Sequence, residues 1–426
     1  MVKYEIIRDP LWNNIRVGPL ALSLIDTREF QRLRYVRQLG LAYLVYPGAT
    51  HTRFEHALGT YHLARRTLAL LDERDELRDV SAEQQTDVWI AALLHDIGHY
   101  PFSHALEEIG APHHETIARP ILTRGTIAEI LADARGPGAP ERIGALIRGE
   151  SESALQGLIS GSLDLDKIEY LKRDAYMCGV PYGEIDVDRL LNSLTIVDDP
   201  DSGVRTVGVL EKGLSALESL LFAKYQMYRN VYWHHAVRSA TAMYKRIVDD
   251  ALRAGIIDTD ALPASTDEGL LHEIEELSPS PVLDALRQRR LHKRALEIPA
   301  AELGDNAPEW IADDRSLVVE VENALAHDVG AQPGAILLDF PAKTQMLGLD
   351  IAVLRRSGEV QRIAPEGWAG AINLPTLSDQ LYQSARWLRV FVAPPLTLPQ
   401  KSLMGLVEMS AAQIRSRLAT SARLLT

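Results

Sequence analysis

The residues best suited to chemistry are histidines and carboxylates in the first half of the chain. His95 and Asp96 stand side by side where an apolar helix ends before Gly98. Adjacent residues in a continuous helix point about 100° apart, but at a helix end the backbone can turn both toward one point. His56 on the preceding helix and Asp166 at the start of a later one can complete the set. Two imidazoles and two carboxylates suit a divalent ion such as Mn, Fe, Mg or Zn, with open positions for water and phosphate.

A second group of residues can do acid–base and phosphate chemistry beside such an ion. A divalent ion can bind a phosphoryl oxygen, neutralise developing charge and orient or activate a water. His104 can donate a proton to a leaving oxygen, and Glu107 at i+3 can orient it. His114 can add a further acid, and Arg53, one turn before His56, can hold phosphate with two hydrogen bonds. The pattern therefore indicates metal-assisted hydrolysis of a phosphate ester.

Several of these side chains also have a structural interpretation. A histidine beside a metal site is often a hydrogen-bonded neighbour of the ligands, which applies to His104 and His114. His234 and its neighbour His235 either line a pocket or pack between helices. Tyr232 belongs to an aromatic series at helical spacing, which ordinarily forms a buried stripe. The residues alone leave both interpretations open.

Helices must position these groups. Apolar residues recur at helical spacing in 53–71 and 88–94, and the second of these helices runs into the His-Asp pair. Further helices are predicted at 30–39, 104–109, 141–148, 165–178, 210–228, 233–254, 270–277, 282–297, 317–327 and 403–425. Residues 1–24 are predicted to be an irregular lead-in, and strands are predicted at 335–339, 350–355 and 387–392. The pattern predicts a large helical body, 1–300, and a small mixed α/β C-terminal region, 301–426.

Composition narrows the class of protein. The 426 residues include 45 basic and 58 acidic side chains, a net charge of −13. Such a surface repels nucleic acid as a whole, so positive charge for phosphate must be concentrated locally. The single cysteine, Cys178, excludes an internal disulfide framework and fits a reducing cytoplasm. The start of the sequence has no signal-peptide pattern, and no run approaches the ~20 apolar residues of a membrane span. We therefore expect a cytoplasmic protein without membrane contact.

Three segments carry a resemblance to a known family. They are HTRFEH at 51–56, HDIGHYPFSH at 95–104 and DLDKIEY at 164–170. Together they resemble the HD-domain phosphohydrolases. They are most similar to the deoxynucleoside triphosphate (dNTP) triphosphohydrolases, which include bacterial dGTPase-like enzymes and an animal enzyme with a sterile-alpha motif. The similarity runs from residue 9 to about residue 244. It implies a mostly α fold, with an HD helical core at about residues 50–180 and a small mixed α/β C-terminal part.

The resemblance implies roles at the metal and in catalysis. One divalent ion, whether Mn, Fe, Mg, Zn or Ni, is expected on His56, His95, Asp96 and Asp166, and a second Mg²⁺ can accompany the nucleotide phosphates. The implied catalytic residues are His104, His114, Glu107 and His99. Among them His104 protonates the leaving 5′ oxygen, and Glu107 stands where the animal enzyme carries Asp. The implied reaction cleaves a dNTP to deoxynucleoside and triphosphate.

The resemblance also assigns substrate positions. The sugar is held by Gln38 and Leu39, with Gln38 close to a 3′-hydroxyl. The phosphates are contacted by Arg53, His99, Lys167 and Lys224, the last of which replaces an Arg. The sugar and base pocket is formed by Tyr170, Asp174 and Tyr232, and His234 continues that segment. A tyrosine packed under C2′ is the feature by which this family disfavours ribose.

Regulation and assembly are implied less completely. Asp26, Gln31 and Arg34 match residues that read a nucleotide activator in the animal enzyme. However, Glu5 stands where a phosphate-binding Lys is expected, and Leu210 where an Arg is expected. The three matching residues can equally cap a helix and pair on the surface. The resemblance implies a homo-oligomer, either a dimer or a tetramer.

Two other functions fit parts of the pattern. A nucleotide monophosphatase or phosphodiesterase would keep the fold and the metal and act on another phosphate ester. A nucleotide-sensing or single-strand nucleic-acid-binding protein would need a local basic groove, against a net charge of −13. Nucleic acid is therefore an unexpected partner, and deoxynucleoside triphosphates are the expected one.

Overall fold

The chain begins with a β-hairpin and continues mainly as α-helices. The computed structural model describes residues 4–304, 307–342, 350–363 and 373–425. The helices of the first 290 residues are α1 (Pro19–Ile25), α2 (Arg28–Arg32), α3 (Arg53–Glu73), α4 (Ala82–Leu94), α5 (His114–Thr123), α6 (Gly125–Arg135), α7 (Ala139–Ile147), α8 (Leu165–Cys178), α9 (Val187–Ser193), α10 (Leu214–Met227), α11 (His235–Arg253), α12 (Asp267–Leu277) and α13 (Pro281–Arg287). The later helices are α14 (Ala300–Leu303), α15 (Trp310–Asp313), α16 (Arg315–Asp328), α17 (Leu374–Ala385), α18 (Gln400–Val407) and α19 (Ala411–Ala419). The predicted mostly α fold class is confirmed.

Two helix ends place the histidines and the first aspartate. α3 follows Thr52, whose side chain and that of Glu55 cap each other's backbone in a capping box. This start fixes His56 one turn into the helix. α4 ends at Leu94 and His95 is its C-cap, so Asp96 lies just beyond the helix end and its side chain turns toward α3. His95 and Asp96 therefore lie at a helix end, as the sequence predicted.

A third helix start places the other aspartate. The Asp164 side chain caps α8 by accepting a hydrogen bond from the Lys167 backbone N–H at 2.9 Å. Asp166 thus sits in the first turn, where the helix dipole favours a carboxylate. Gly179, with φ of 67°, ends the helix. These two signals reproduce the predicted range 165–178.

Apolar faces of α3, α4 and α8 pack into one core beneath the helix ends. Leu58 on α3, Leu94 on α4 and Ile168 on α8 are at most 2% exposed. Burying each such side chain stabilises the fold by about 1.5–3 kcal/mol. The core therefore holds the three helix segments that carry the histidines and aspartates in a fixed relation.

Nine strands among the described residues form three small sheets. They are β1 (Glu5–Asp9), β2 (Asn13–Val17), β3 (Leu194–Asp198), β4 (Arg205–Leu210), β5 (Lys293–Pro299), β6 (Ile336–Asp339), β7 (Ala352–Leu354), β8 (Val360–Arg362) and β9 (Trp387–Val392). β1 and β2 form the antiparallel hairpin. The second sheet has the order β3-β4-β7-β8, with β4 and β7 parallel, and the third has the antiparallel order β5-β9-β6. The strands predicted at 335–339, 350–355 and 387–392 correspond to β6, β7 and β9. The boundary at residue 300 stays a prediction, because the sheets join strands from both sides of it.

Several local predictions were wrong. The lead-in 1–24 is not irregular but contains β1, β2 and α1. The helix predicted at 282–297 ends at Arg287, because Arg289 takes a left-handed φ of 56°, and β5 follows. The helix predicted at 403–425 is two helices, because Ser410 caps the start of α19 in a capping box with Gln413.

The segment after the His-Asp pair also differs from the prediction. The helix expected at 104–109 is replaced by two 3₁₀ turns, Ser103–Ala105 and Glu107–Ile109. Phe102 and Ser103 have φ of 56° and 61°, which no continuous right-handed helix can contain. The predicted helices 30–39 and 210–228 are shorter, since α2 ends at Arg32 and Leu210 closes β4. No helix of the described chain combines the length and apolar composition that a membrane crossing needs.

Candidate metal and phosphate site

Four side chains from α3, the end of α4 and α8 meet at one point. His56 Nε2 lies 2.8 Å from Asp166 Oδ1 and 3.2 Å from His95 Nε2. His95 Nε2 lies 3.4 Å from Asp96 Oδ1 and 3.5 Å from Asp166 Oδ1. Asp96 Oδ2 lies 3.5 Å from His56 Nε2. Atoms spaced in this way can share one ion at ordinary metal–nitrogen and metal–oxygen bond lengths of about 2.0–2.2 Å.

The charges around this point fit a cation. Burial opposes the protonation of His56, but hydrogen bonds with Asp166 and Glu169 outweigh it and raise the pKa of His56 to about 10. Burial would raise the pKa of Asp166, yet hydrogen bonds from His56 and His95 hold it well below its usual value. A cluster that attracts a proton this strongly also attracts a divalent ion. His95 Nδ1 donates to the Ala92 carbonyl at 2.8 Å, which leaves Nε2 as its ligand atom.

Behind His56 lies a carboxylate that the sequence analysis did not single out. His56 Nδ1 donates to Glu169 Oε2 at 2.6 Å. Trp12 Nε1 and Arg173 Nε both donate to Glu169 Oε1 at 2.8 Å. A Cβ at Gly59 would lie 1.9 Å from the same Oε1, so α3 must carry glycine there to admit Glu169. The arrangement fixes the tautomer of His56 and directs its Nε2 at the ion position.

This support could have been found from spacing. Glu169 follows Asp166 by one helical turn, and Arg173 follows Glu169 by four residues, the spacing of an ion pair along one helix face. Arg173 Nη1 also lies 3.0 Å from Asp9 Oδ2, which ties the hairpin to α8. Burial opposes ionisation of Glu169, but Arg173 and His56 hold its pKa at about 2.

Arg53 holds the Asp96 carboxylate in position by a hydrogen bond. Its Nη1 donates to Asp96 Oδ2 at 2.7 Å, and its Nε donates to Ser103 Oγ at 3.1 Å. Ser103 Oγ donates in turn to the Arg37 carbonyl at 2.8 Å. Arg53 lines the cleft but is only 4% exposed, so most of its guanidinium is committed to protein partners. The predicted phosphate contact by Arg53 therefore depends on its remaining Nη2 group.

The predicted catalytic residues form a compact cluster beside the four candidate ligands. Glu107 accepts hydrogen bonds from His104 Nδ1 at 3.1 Å and from His114 Nδ1 at 2.7 Å. The His99 ring stacks on the His114 ring at 3.8 Å, and its Nε2 lies 3.1 Å from Asp96 Oδ1. Burial opposes ionisation of Glu107, but its hydrogen bonds with both histidines lower its pKa below the usual range. A charged Glu107 thus orients both imidazoles.

Exposure separates the two histidines of this cluster. The His104 side chain is 58% exposed and faces the cleft, whereas the His114 side chain is 11% exposed. Burial lowers the pKa of His114 to about 4, against the opposing effect of its hydrogen bond with Glu107. His104 is therefore the better placed of the two to exchange a proton with a ligand.

A cleft of about 720 Å³ opens over both clusters. Lys167 lies on its wall, and its Nζ donates to the Gly161 carbonyl at 2.9 Å and pairs with Asp164. Lys224 is 4% exposed, and burial, followed by the charge of Lys167, lowers its pKa to about 7. Its Nζ lies 5.7 Å from the centre of the Tyr228 ring. Lys224 is absent from the described cleft wall, so the cleft volume and Lys167 are the features that suit a ligand carrying several phosphates.

A second end of the cleft carries the residues predicted to hold sugar and base. Asp174, 1% exposed, accepts from Tyr232 OH at 2.7 Å and is joined to His51 Nε2 over 2.8 Å. The Tyr170 ring centre lies 6.5 Å from that of Tyr232. Gln38 lines the cleft, and its buried Oε1 has no hydrogen-bond partner among the described residues. An unsatisfied buried acceptor at a cleft wall fits a ligand hydroxyl.

Other predicted residues are placed less directly. Leu39 lines the cleft beside Gln38. His234 caps the start of α11, where its ring accepts from the Ala236 N–H at 3.3 Å, and it is absent from the described cleft wall. Burial, then the neighbouring His235, lowers the pKa of His234 to about 4.

None of the three predicted activator residues lines the described cleft wall. Gln31 Nε2 donates to the Ile25 carbonyl at 2.9 Å, and Arg34 Nε donates to Gln31 Oε1 at 2.8 Å. Arg34 also lies 3.5 Å above the Phe54 ring, and Asp26 caps the end of α1. Gln31 and Arg34 are thus joined to each other, while Asp26 is held by the end of α1, and these local contacts fit either interpretation given above.

The chain matches two family profiles. Residues 53–174 match the HD domain, and residues 185–365 match the HD associated region. All four candidate metal ligands, the histidine cluster and Asp174 lie inside the first of these ranges. A protein of Methanocaldococcus jannaschii is 35% identical over 329 residues, which is 76% of this chain and 67% of that relative. The chain belongs to the HD-domain phosphohydrolase family.

Further comparisons agree with this assignment. A hypothetical protein from Aquifex aeolicus has a crystal structure that superposes with a TM-score of 0.70 at 30% identity, over 92% of this chain and 97% of that one. A deoxynucleoside triphosphate triphosphohydrolase homologue from Dictyostelium discoideum is 31% identical over 56% of this chain and 48% of its own length. The chain also spans about half the length of further curated relatives. Fold and family thus define a metal-dependent phosphohydrolase.

Proposed function

We propose that the chain is a dNTP triphosphohydrolase, which cleaves a dNTP to the deoxynucleoside and inorganic triphosphate. The observation that supports this proposal is a single cleft with three groups of residues arranged along it. They are the candidate metal ligands, the His104–Glu107–His114 cluster and the Gln38–Asp174–Tyr232 pocket. Of the candidate ligands, His95, Asp96 and Asp166 line the cleft, and the buried His56 lies beside Asp166. A relative named as a dNTP triphosphohydrolase supports the substrate class.

The residues at the phosphate end bind and orient. A divalent ion on His56, His95, Asp96 and Asp166 would supply Lewis-acid polarisation of a phosphoryl oxygen. Lys167 and Lys224 offset charge on the triphosphate, and His99 lies against Asp96 where it can direct a water. The residues fit any of Mn, Fe, Mg, Zn or Ni, and a second Mg²⁺ carried by the nucleotide is part of this proposal.

The proton goes to the leaving group. Water attacks the α-phosphorus, the bond from that phosphorus to the 5′ oxygen breaks, and His104 gives a proton to the departing oxygen. The oxygen of the attacking water stays on the triphosphate, its proton is released to solvent, and His104 takes up a proton from solvent before the next turnover. Glu107 holds the His104 ring through Nδ1, so that Nε2 is the atom that faces the cleft.

The pocket end selects the nucleoside. The Gln38 acceptor receives the 3′-hydroxyl, and the Tyr170 ring closes the space beneath C2′ against a ribose hydroxyl. Asp174 holds the Tyr232 phenol at 2.7 Å, which leaves that ring fixed as a wall for the base. We further propose a homo-oligomer, dimer or tetramer, with a nucleotide activator at Asp26, Gln31 and Arg34. Sedimentation with and without dGTP tests that part.

Product analysis tests the reaction. The purified chain, loaded in turn with Mn²⁺, Mg²⁺ or Fe²⁺, is incubated with dNTPs, NTPs, dNMPs and cyclic dinucleotides in H₂¹⁸O. We expect deoxynucleoside and ¹⁸O-labelled triphosphate from dNTPs, and neither product from an Asp166→Ala variant. Release of monophosphate with pyrophosphate would contradict the proposal. Turnover of dNMPs or cyclic dinucleotides alone would indicate a monophosphatase or a phosphodiesterase instead.

A further inference from the structure

A buried charge network connects the sheet β5-β9-β6, called the C-terminal sheet below, to the 3₁₀ turn Glu107–Ile109. Arg238 on α11 donates through Nη1 and Nη2 to both oxygens of Glu108, at 2.9 and 2.8 Å. The same guanidinium donates through Nε and Nη2 to both oxygens of Asp339, at 2.9 and 2.5 Å. Asp339 is the last residue of β6 and is 1% exposed. Lys245, two turns along α11, pairs with Glu108 at 2.8 Å and balances the charge.

Most of the Arg238 guanidinium is committed to these two carboxylates. Four of its five N–H groups are directed at Glu108 and Asp339, although Arg238 lines the cleft. A second bidentate partner of this kind leaves little capacity for a substrate phosphate. Arg238 therefore serves the protein's own geometry at this point of the cleft wall.

The network binds Glu108, which is next to Glu107, a residue with a proposed catalytic role. Glu108 is covalently next to Glu107 in the short 3₁₀ turn Glu107–Ile109. Glu107 contacts His104 Nδ1, His114 Nδ1 and the His114 backbone N–H at 2.7–3.1 Å. A turn of three residues has few internal hydrogen bonds, so external contacts must hold it in place. A shift of the turn would lengthen the contacts of both histidines together.

Apolar contacts reinforce the same connection. The Phe102 ring packs at a tilt of 55° against that of Tyr244 on α11, with ring centres 4.6 Å apart, and Tyr244 OH donates to the Pro101 carbonyl at 3.2 Å. Leu106 and Leu337 of β6 belong to the same buried cluster. The segment 101–110 is therefore clamped from one side by α11 and the C-terminal sheet.

We propose that Asp339, Arg238 and Glu108 form a positioning relay by which the C-terminal sheet holds Glu107, and through it the imidazoles of His104 and His114, in their working geometry. The relay rests on the proposed function for its effect on turnover, but its effect on the histidines is independent of any substrate. Asp339, Arg238 and Glu108 are positioning residues, since they act through Glu107. Arg238 and Asp339 lie outside the residues that match the HD domain, so this region would take part in positioning the histidines.

A matched pair of variants tests the relay. Asp339→Asn weakens it at its C-terminal end. Glu322→Gln is the control. Like Asp339, Glu322 is a buried side-chain carboxylate in the C-terminal third of the chain, on α16, and is 0% exposed. It also pairs with an arginine of α11, Arg246, at 3.1 Å. Glu322 has no described contact with the turn 107–109. Should Asp339→Asn not fold, Glu108→Gln at the less buried end replaces it.

Two readouts are compared in the metal-loaded, full-length chain. For Asp339→Asn we expect kcat on dNTPs to fall about ten- to hundredfold, with KM within about twofold, since misplacement of a catalytic group acts on the reaction step. The ¹⁵N signals of His104 and His114 should shift in Asp339→Asn. For Glu322→Gln we expect a lower Tm, unchanged histidine signals and kcat within about twofold.

Three results would overturn the relay. Equal losses of kcat in both variants would indicate a general effect on folding. A raised KM with unchanged kcat would make Arg238 a substrate contact. Histidine signals that match wild type in Asp339→Asn would show that the turn does not depend on Asp339. If the wild-type chain hydrolyses no dNTP, the proposed function fails, and the histidine signals alone decide the relay.

Discussion

His56 Nδ1 donates a 2.6 Å hydrogen bond to Glu169 Oε2, and both residues are 0% exposed. The bond fixes which ring nitrogen is left for a metal ion. Because Glu169 is ionised and held by Arg173, it also makes the imidazole a stronger ligand. The first prediction concerns this pair.

Glu169→Gln should weaken divalent-metal binding about 10- to 100-fold, since an amide orients His56 less well and removes a negative charge. Isothermal titration calorimetry with the divalent metal measures the change in dissociation constant. Asp174→Asn is the matched control, because Asp174 is a buried carboxylate on the same helix that contacts His51, which is not a candidate ligand. Equal metal affinity in wild type and Glu169→Gln would show that the pair has no role at the ion.

Glu107→Gln should lower kcat about 100-fold with little change in KM. A glutamine can accept from only one of the two imidazoles through its oxygen, so His104 or His114 loses its partner. Steady-state kinetics on a dNTP measures this. Glu107→Asp should retain more activity than Glu107→Gln, because it keeps the carboxylate. Glu115 neighbours His114 in sequence but has no hydrogen bond with Glu107, so the activity of Glu115→Gln should remain near that of wild type. A Glu107→Asp variant as slow as Glu107→Gln would argue against the carboxylate as the important group.

Tyr170→Ala should increase the use of ribonucleotides relative to deoxynucleotides. Removing the ring opens space in the cleft wall opposite Tyr232, and the ratio of kcat/KM for dGTP over GTP should fall at least about tenfold. Competition between the two substrates measures the ratio directly. Tyr176→Ala is the control, because Tyr176 is on the same helix and is 57% exposed. An unchanged ratio would place the sugar elsewhere.

His62 should make the fold sensitive to mild acid. Burial, together with Arg66 and Arg65, lowers the pKa of His62 to about 4, and its ring lies 5.9 Å from that of Trp12. Because this value is below the unfolded one of about 6.5, the unfolded chain takes up a proton first, and stability falls as pH drops from 7 toward 4.

Replacing His62 should reduce that sensitivity. With allowance for its partial exposure, His62→Gln should remove about 1 kcal/mol of the stability lost between pH 7 and pH 5. Urea unfolding at the two pH values measures the difference. The exposed His272→Gln variant should leave the pH dependence as in wild type. A His62→Gln chain that loses as much stability as wild type would refute the assignment.

Local signals predicted some elements well. The range 165–178 followed from the Asp164 cap and Gly179, which act within a few residues and survive in the folded chain. His56, His95, Asp96 and Asp166 could be grouped because helix ends and family motifs both mark them. Their grouping into one centre stays a prediction that the geometry supports.

Other features depend on contacts that are distant in sequence. The spacing of Glu169 and Arg173 predicts an ion pair between them, but nothing near Glu169 in the sequence shows that it will be buried against Trp12 and Gly59. The turn 107–109 was predicted as helix because its composition favours one, but left-handed Phe102 and contacts with α11 break the segment. The hairpin of β1 and β2 was missed because its polar residues show little strand pattern, while its Asp9 is buried against Arg173.

The four candidate ligands come from three separate helix segments, and this has a thermodynamic consequence. His56 and Asp166 stand 110 positions apart in the chain, so an unfolded chain rarely brings them together. An ion held between them is a cross-link that exists only in the native state. At a free metal concentration a hundred times the dissociation constant, it would add about 2.7 kcal/mol to the free energy of unfolding. The supply of metal in the cell would then set the lifetime of the chain against proteolysis as well as its rate of turnover.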